Sequence, residues 1–257
     1  MNNTISSLER QLQILQLVER QQRISVANIC EQYAVSEATA RRDLETLAAE
    51  GKVQRVHGGA IALTQAPPEQ SILQRQDEQA QEKMRIGQAA AALVHDGETV
   101  FLGSGTTVLE IAKNIRERKG LTVITNSLPV VNTLAGLEEI TVIVLGGMLR
   151  DSELSFIGHI TEQALAEVRA DKVFIGTRAI SVEQGLTNDY LPETLTDRAI
   201  LNIGRDIVIV ADHTKCGVIS TAFLAPLNAM HTLVTDGGTD VEFVTALKQK
   251  GINVLVV

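Results

Sequence analysis

Apolar residues recur at helical spacing near the start of the chain. Leu8, Leu12, Leu15 and Val18, with Ile14 beside them, predict a first helix over about 7–21. Ser25 supplies an N-cap for a second helix, about 26–33, that buries Val26, Ile29 and Cys30. The short turn Ala34-Val35-Ser36 offers Ser36 as the cap of a third helix over 37–50, ended by Gly51. Two helices joined by so tight a turn form a helix-turn-helix. A rotation of about 100° per residue puts Ala40, Leu44, Leu47 and Ala48 on the inner face of the third helix and leaves Ala38, Thr39, Arg41 and Arg42 outside. Lys52 to Val56 then alternates polar and apolar, His57-Gly58-Gly59 turns the chain, and Ala60 to Leu63 runs back. That hairpin is the wing of a winged helix.

Thr64 to Ser71 is polar and contains Pro67-Pro68, an extended hinge. A helix over 78–94 follows, with Met84, Ile86, Ala90 and Leu93 on its buried side. Beyond it, short β-branched strands at 99–102, 121–125, 140–145, 172–176, 206–211, 232–235 and 252–256 alternate with helices at 106–116, 128–135, 159–167, 192–203 and 240–250. This is the α/β pattern of a mostly parallel sheet covered on both faces. The expected organisation is a winged helix-turn-helix domain over 1–63, a linker over 64–74 and an α/β domain over 75–257. Aromatics make up 3% of the residues and Trp is absent, so the core is left to Val, Ile, Leu and Ala, as in buried parallel sheets.

A net charge of −8 is unfavourable for a nucleic-acid binder. It is not evenly distributed. Residues 1–63 hold seven Lys and Arg against seven Asp and Glu, so the excess acid belongs to the rest of the chain. The head's cations gather at Arg41, Arg42, Lys52 and Arg55. A neutral head binds phosphate weakly by itself, which predicts pairing of heads in a homodimer or homotetramer. No apolar run approaches the ~18 residues needed to span a bilayer, and the N-terminus has no signal-peptide pattern. No membrane partner and a cytoplasmic location are expected. Cys30 and Cys216 lie far apart and read as free thiols, and the five histidines lack zinc spacing. Neither a metal nor a cofactor is expected.

Arg41 and Arg42 could form a solvated face paired with Glu37 and Glu45. Guanidinium, hydroxyl and methyl groups at one helix N-terminus are equally the chemistry of major-groove readout in double-stranded DNA. The head lacks exposed aromatics, which argues against single-stranded RNA. In the α/β domain, ligands bind beyond the carboxyl ends of the strands. Those positions hold Gly103-Ser104-Gly105-Thr106-Thr107, Asn126-Ser127, Gly146-Gly147 with Arg150, and Asp212 to Lys215. A small-residue turn before a helix is often only a cap. Four polar clusters at four strand ends together suit a polyhydroxylated, phosphorylated ligand.

The segments Val35-Ser36-x-x-Thr39-x-Arg41-Arg42-Asp43-Leu44, Gly51 and Arg55-x-His57-Gly58-Gly59-Ala60 resemble the DeoR-type family of bacterial sugar-metabolism regulators. The resemblance implies that the third helix reads operator DNA through Ser36, Thr39, Arg41 and Arg42. Arg55 and His57 of the wing would lie near the backbone or minor groove. Residues 103–107, 125–127, 145–147, 170–176 and 212–217 match the family's effector segments. With Arg150 after the third strand and Glu193 near the same place, they give a candidate site of Gly103, Ser104, Gly105, Thr106, Thr107, Asn126, Ser127, Gly146, Gly147, Arg150, Lys172, Glu193, Asp212 and Lys215. The chain departs from the family at Asp197, where Lys usually precedes Arg-Ala. The larger domain is also similar to the ribose-5-phosphate isomerase fold, but the isomerases' acidic stretch is replaced by Ile175-Gly176-Thr177-Arg178-Ala179. The implied function is a non-enzymatic repressor of a carbohydrate-utilisation operon, relieved by a phosphorylated sugar. The alternatives are an isomerase-like enzyme with a DNA-binding head, or an effector-independent DNA-binding protein.

Overall fold

The apolar spacing of the head produces the expected helices α1 (Ser7–Gln21), α2 (Val26–Tyr33) and α3 (Glu37–Ala49). The structure, a computed structural model, describes residues 6–21, 23–49, 52–56, 58–62, 64–65 and 70–257. It divides into two compact units, Met1–Gln65 and Ala66–Val257. The expected helix stop at Gly51, the wing residue His57 and the hinge prolines Pro67 and Pro68 lie outside the described residues.

In the first unit both expected caps form. Ser25 Oγ accepts from the Asn28 amide at 3.1 Å, and Ser36 Oγ from the Thr39 amide at 3.3 Å. Between α2 and α3 the chain reverses through Ala34, whose φ of +52° is left-handed. Ile14, Val18, Ile29, Ala40, Leu44 and Leu47 meet in one core. The wing is larger than the sequence indicates. β1 (Arg23–Ser25) joins β2 (Val53–Val56) and β3 (Gly59–Ala62) in an antiparallel sheet of order β1-β3-β2. Gly58, with φ +79°, serves the turn, whereas Gly59 is a strand residue. A Cβ at Gly59 would run into the Ile24 carbonyl. Strand β1 escapes sequence reading because three residues carry too little alternation. A two-residue strand, β4 (Thr64–Gln65), follows.

A buried ion pair ties α1 to α3. Arg10 donates from Nε to Asp43 Oδ2 at 2.6 Å and from Nη2 to Oδ1 at 3.2 Å. Gln11 Nε2 adds a bond to the same carboxylate at 3.0 Å. Asp43, part of the family signature, therefore braces the head from inside. Removing one partner of such a pair costs about 3–5 kcal/mol, because the other charge stays buried.

The second unit begins with packed chain. Ile72, expected within the linker, is buried, and Arg75 Nη2 meets Glu153 Oε1 at 2.5 Å. Helix α4 (Ala80–Ala91) buries Lys83, Ile86, Gly87, Ala90 and Ala91. Met84, expected inside, is 55% exposed. The close approach of Gly87 to Glu110, where a Cβ would clash, fixes the inner face and turns Met84 outward.

The sheet is built from β5 (Thr99–Leu102), β6 (Leu121–Thr125), β7 (Ile140–Val144), β10 (Ala170–Ile175), β13 (Gly204–Val210), β16 (Thr232–Thr235) and β17 (Asn253–Val256). Its order is β17-β16-β13-β10-β5-β6-β7, and every pairing is parallel. Between β7 and β10 lies the hairpin β8 (Met148–Arg150) and β9 (Ser155–Ile157). A small antiparallel sheet of β11 (Ala179–Ser181), β12 (Gly185–Asn188) and β15 (Ala222–Ala225) sits after β10, with β14 (Val218–Ile219) just before β15. None of these short strands was legible from the sequence.

The strand order reverses once. From β5 the chain adds β6 and β7 on one side, then returns to place β10 on the other and grows outward again. With right-handed crossovers, that reversal sends successive helices to opposite faces. Accordingly α4, α5 (Thr106–Asn114) and α6 (Leu128–Leu134) bury Ile86, Val108, Ile111 and Val130 against one face. Helices α7 (His159–Ala166), α8 (Leu191–Leu201) and α9 (Val241–Gln249) bury Leu165, Ile200 and Phe243 against the other. The gap between β5 and β10 is the topological switch point, where open α/β sheets bind ligands.

Candidate functional site

On the head, Ala38, Arg41 and Arg42 are exposed at the N-terminal half of α3, and Thr39 is half-buried. Arg41 Nη2 lies 3.1 Å from Glu37 Oε2, with both side chains more than half exposed. A surface pair of this kind contributes little, so a phosphate or base edge can displace it. Ser36 Oγ and Thr39 Oγ1 are 2.9 Å apart, which engages both hydroxyls in the cap. Arg55 Nη1 donates to the Gly59 carbonyl at 2.5 Å and braces the wing hairpin. Four of the six residues expected to touch DNA, Ser36, Thr39, Arg41 and Arg55, therefore also have local structural partners.

In the second unit a cavity of about 260 Å³ opens at the switch point. One wall is Ser104 to Val108, which links β5 to α5. Gly105, at φ +112°, is the N-cap of α5 and provides no side-chain acceptor. The first amides of α5, with the positive end of its dipole, are thus left for a ligand. Beside them Lys83 is buried, and its Nζ donates to the Arg75 carbonyl at 2.7 Å. Burial above all, together with the nearby Arg75 and Lys215 cations, holds its ammonium below the ordinary lysine pKa, against the pull of Asp212 and Glu78.

The floor comes from the loops after β10 and β13, including Gly176, Thr177, Arg178, Asp212 and Lys215. Asp212 Oδ1 accepts from the Thr214 amide at 3.0 Å, which pins this loop. The opposite wall is α8, with Glu193, Asp197 and the neighbouring Asn188. Asn188 Nδ2 donates to Asp197 Oδ2 at 2.9 Å. Glu193 forms an ion pair with Arg150, whose guanidinium sits 4.5 Å from the centroid of the Tyr190 ring.

Of the residues expected from the sequence, Ser104, Gly105, Thr106, Thr107, Glu193, Asp212 and Lys215 line this cavity. The others stand elsewhere. Gly103 lets β5 approach β10, since a Cβ there would lie 2.9 Å from Ile175 Cγ2. Asn126 and Ser127 are buried, and Asn126 Nδ2 donates to the Phe156 carbonyl at 2.9 Å, tying the end of β6 to β9. The Gly146 carbonyl accepts from Thr161 Oγ1 at 2.9 Å, and Gly147 leaves room for the same threonine. Arg150 acts one step back, through Glu193. Lys172 is a correction: it lies near the amino end of β10, pairs with Glu98, and belongs to the opposite end of the sheet. Arg75, Lys83, Arg178, Asn188 and Asp197 also line the cavity and were not expected there. Lys83 carried a signal, a charge set among Ile86, Gly87 and Ala90 on the apolar stripe of α4.

Among the described residues no group of His, Cys, Asp and Glu could hold a metal ion, and no helix is long and apolar enough to cross a membrane. Cys30 and Cys216 are free and half-buried, and burial pushes the Cys216 thiol up to about 12.

Residues 10–66 match the family model of the DeoR-like helix-turn-helix domain, and residues 78–237 match that of the DeoR C terminal sensor domain. The chain is similar to the transcriptional repressor AccR of Agrobacterium fabrum, 33% identical over 91% of each chain. It is also similar to the HTH-type transcriptional repressor GlcR of Bacillus subtilis, 34% identical over 96% of this chain and 95% of that one. Among solved structures, ribose 5-phosphate isomerase A from Methanocaldococcus jannaschii is 20% identical over 54% of this chain and 55% of that one, with a TM-score of 0.39. That likeness is too distant to bear on function.

Proposed function

The chain belongs to the DeoR family of transcriptional regulators, and from that premise we propose that it represses a carbohydrate-utilisation operon until a small phosphorylated sugar fills the switch-point cavity. The observation that carries this reading is the cavity itself, with the open N-terminus of α5 flanked by Lys83 and Lys215. Dipole, amides and ammonium groups converge there on a space of small-ligand size, the arrangement that receives a phosphate. Hydroxyl groups of the sugar have Thr177, Asn188 and the α8 carboxylates within the same lining.

The head reads double-stranded operator DNA with Arg41 and Arg42 of α3, supported by Ser36, Thr39 and the wing around Arg55 and His57. Its neutral charge balance favours two heads acting together, so the protein works as a homodimer or homotetramer. Effector and operator affinities are coupled because the ligand favours one of two arrangements of the assembled protein.

The ligand is bound without turnover. After β10 the residues are Gly176, Thr177 and Arg178, which replace the acidic stretch that would supply a general base in an isomerase-like site. A gel shift with operator DNA tests the whole reading. Sugar phosphate should release wild-type protein, and Lys215→Ala should bind DNA equally well but stay bound. Isomerisation of pentose phosphates by the full chain would overturn the non-enzymatic assignment.

A further inference from the structure

The cavity does not carry its charge evenly. Since α4–α6 and α7–α9 cover opposite faces of the sheet, the wall holding Lys83 and the α5 N-terminus stands across the strand ends from the α8 wall. The first wall suits an anion. The second presents two carboxylates, Glu193 and Asp197, and a ligand that spans the space meets both.

These carboxylates are positioned rather than loose. Asn188, which donates to Asp197, is itself fixed, since its Oδ1 accepts from the Arg178 amide at 3.1 Å. Glu193 is held by Arg150, and Arg150 by the Tyr190 ring. With the exposed Glu78 set aside, the lining balances four Asp and Glu against four Lys and Arg. Just behind it stand one cation and one anion, Arg150 beside Glu193 and Asp189 beside Arg178. A phosphate monoester adds roughly 1.5 to 2 further negative charges. Enclosed in a partly desolvated space, that surplus is costly unless the ligand brings a positive charge with it. Neutral hydroxyls do not cancel it; a protonated amine does.

We propose that the ligand is an amino-sugar phosphate, its phosphate at the α5 N-terminus and its ammonium group received by Asp197 and Glu193. This rests on reading the cavity as a sugar-phosphate site. It adds that the α8 carboxylates choose among sugar phosphates by charge. Asp197 is then a specificity-determining residue.

Titration calorimetry on the full chain at pH 7 tests it with matched pairs: glucose, galactose and mannose 6-phosphates, each against its 2-amino counterpart. In at least one pair the amino compound should bind about tenfold tighter or more, as expected for one added close charge pair. Asp197→Asn, which keeps the side-chain shape, should erase most of that preference, so that the two members of the pair bind with nearly equal affinity. Should this variant fold poorly, the wild type still decides, because the preference must fade once the pH passes the amine's own pKa. Equal affinity within every pair, or a preference that ignores pH and Asp197→Asn, overturns the proposal and leaves the sugar-phosphate reading intact. Binding of none of the six compounds removes the sugar-phosphate reading and this proposal with it.

Discussion

The two units place their charged residues in opposite ways. In the head, one buried pair, Arg10 with Asp43, serves architecture, and the remaining arginines of α3 face outward. In the sensor domain, charged side chains are drawn inward around the strand ends, and Lys83 and Asp212 are almost fully buried there. The difference fits the roles proposed for the two units. A duplex is large and rigid and releases condensed counterions when cations bind its phosphates, so exposed cations on a firm helix suffice. A small anion must be stripped of water and enclosed, which requires buried charges whose mutual repulsion the ligand relieves.

The largest effect that can break this comparison is Asp43→Ala. It strands Arg10 in the head core at a cost of about 3–5 kcal/mol, comparable with the whole stability of so small a unit. The head should unfold, with operator binding lost, while calorimetry still shows ligand binding to the second unit. A wild-type melting profile would show that the pair is not structural. Next, Arg42→Ala should weaken specific operator binding by about ten- to a hundredfold without altering ligand affinity. Unchanged operator affinity would take α3 out of the reading role.

Lys215→Ala should lower ligand affinity by about tenfold, as for loss of one charge-assisted contact, and leave ligand-free operator binding untouched. An unaltered ligand titration would place the anion elsewhere. The smallest effect concerns Lys83. Its folded-state pKa lies below the unfolded value, so between the two the unfolded chain holds more protons and ligand-free stability rises with pH. Below that interval the penalty for a buried ammonium is fully present. Lys83→Met should flatten this alkaline rise in urea melts while weakening the ligand. An alkaline rise equal to the wild type's would show that Lys83 is solvated.

Where the sequence was legible, the signal was local. Helix spacing, the Ser25 and Ser36 caps and the strands of the parallel sheet all follow from periodicity or from residues a few positions apart. Arg10–Asp43 was not legible, because the partners lie 33 residues apart and Asp43 reads as part of a polar helix face. The cavity was half legible for a related reason. The clusters after β5 and β13 were found, but those after β6 and β7 were grouped with them, since strand order is a non-local property. In the folded chain β6 and β7 lie on the far side of β5 from β10, so Asn126 and Gly146 secure the β8–β9 hairpin and α7 instead. Lys172 failed through polarity: its motif marks a strand, and the residue sits near the strand's start.

The pairing of β5 with β10 has a kinetic consequence. Every other neighbouring pair in the sheet joins strands that follow one another among its seven, whereas β5 and β10 are separated by β6, β7 and the β8–β9 hairpin. Closing that longest loop is the slowest entropic step available to the sheet. The cavity straddles this seam, so a chain with both halves formed but undocked has no binding site. Ligand therefore recognises only the finished molecule and, by mass action, holds the docked halves together. A sensor built on its own folding seam responds to its effector only after it has become whole.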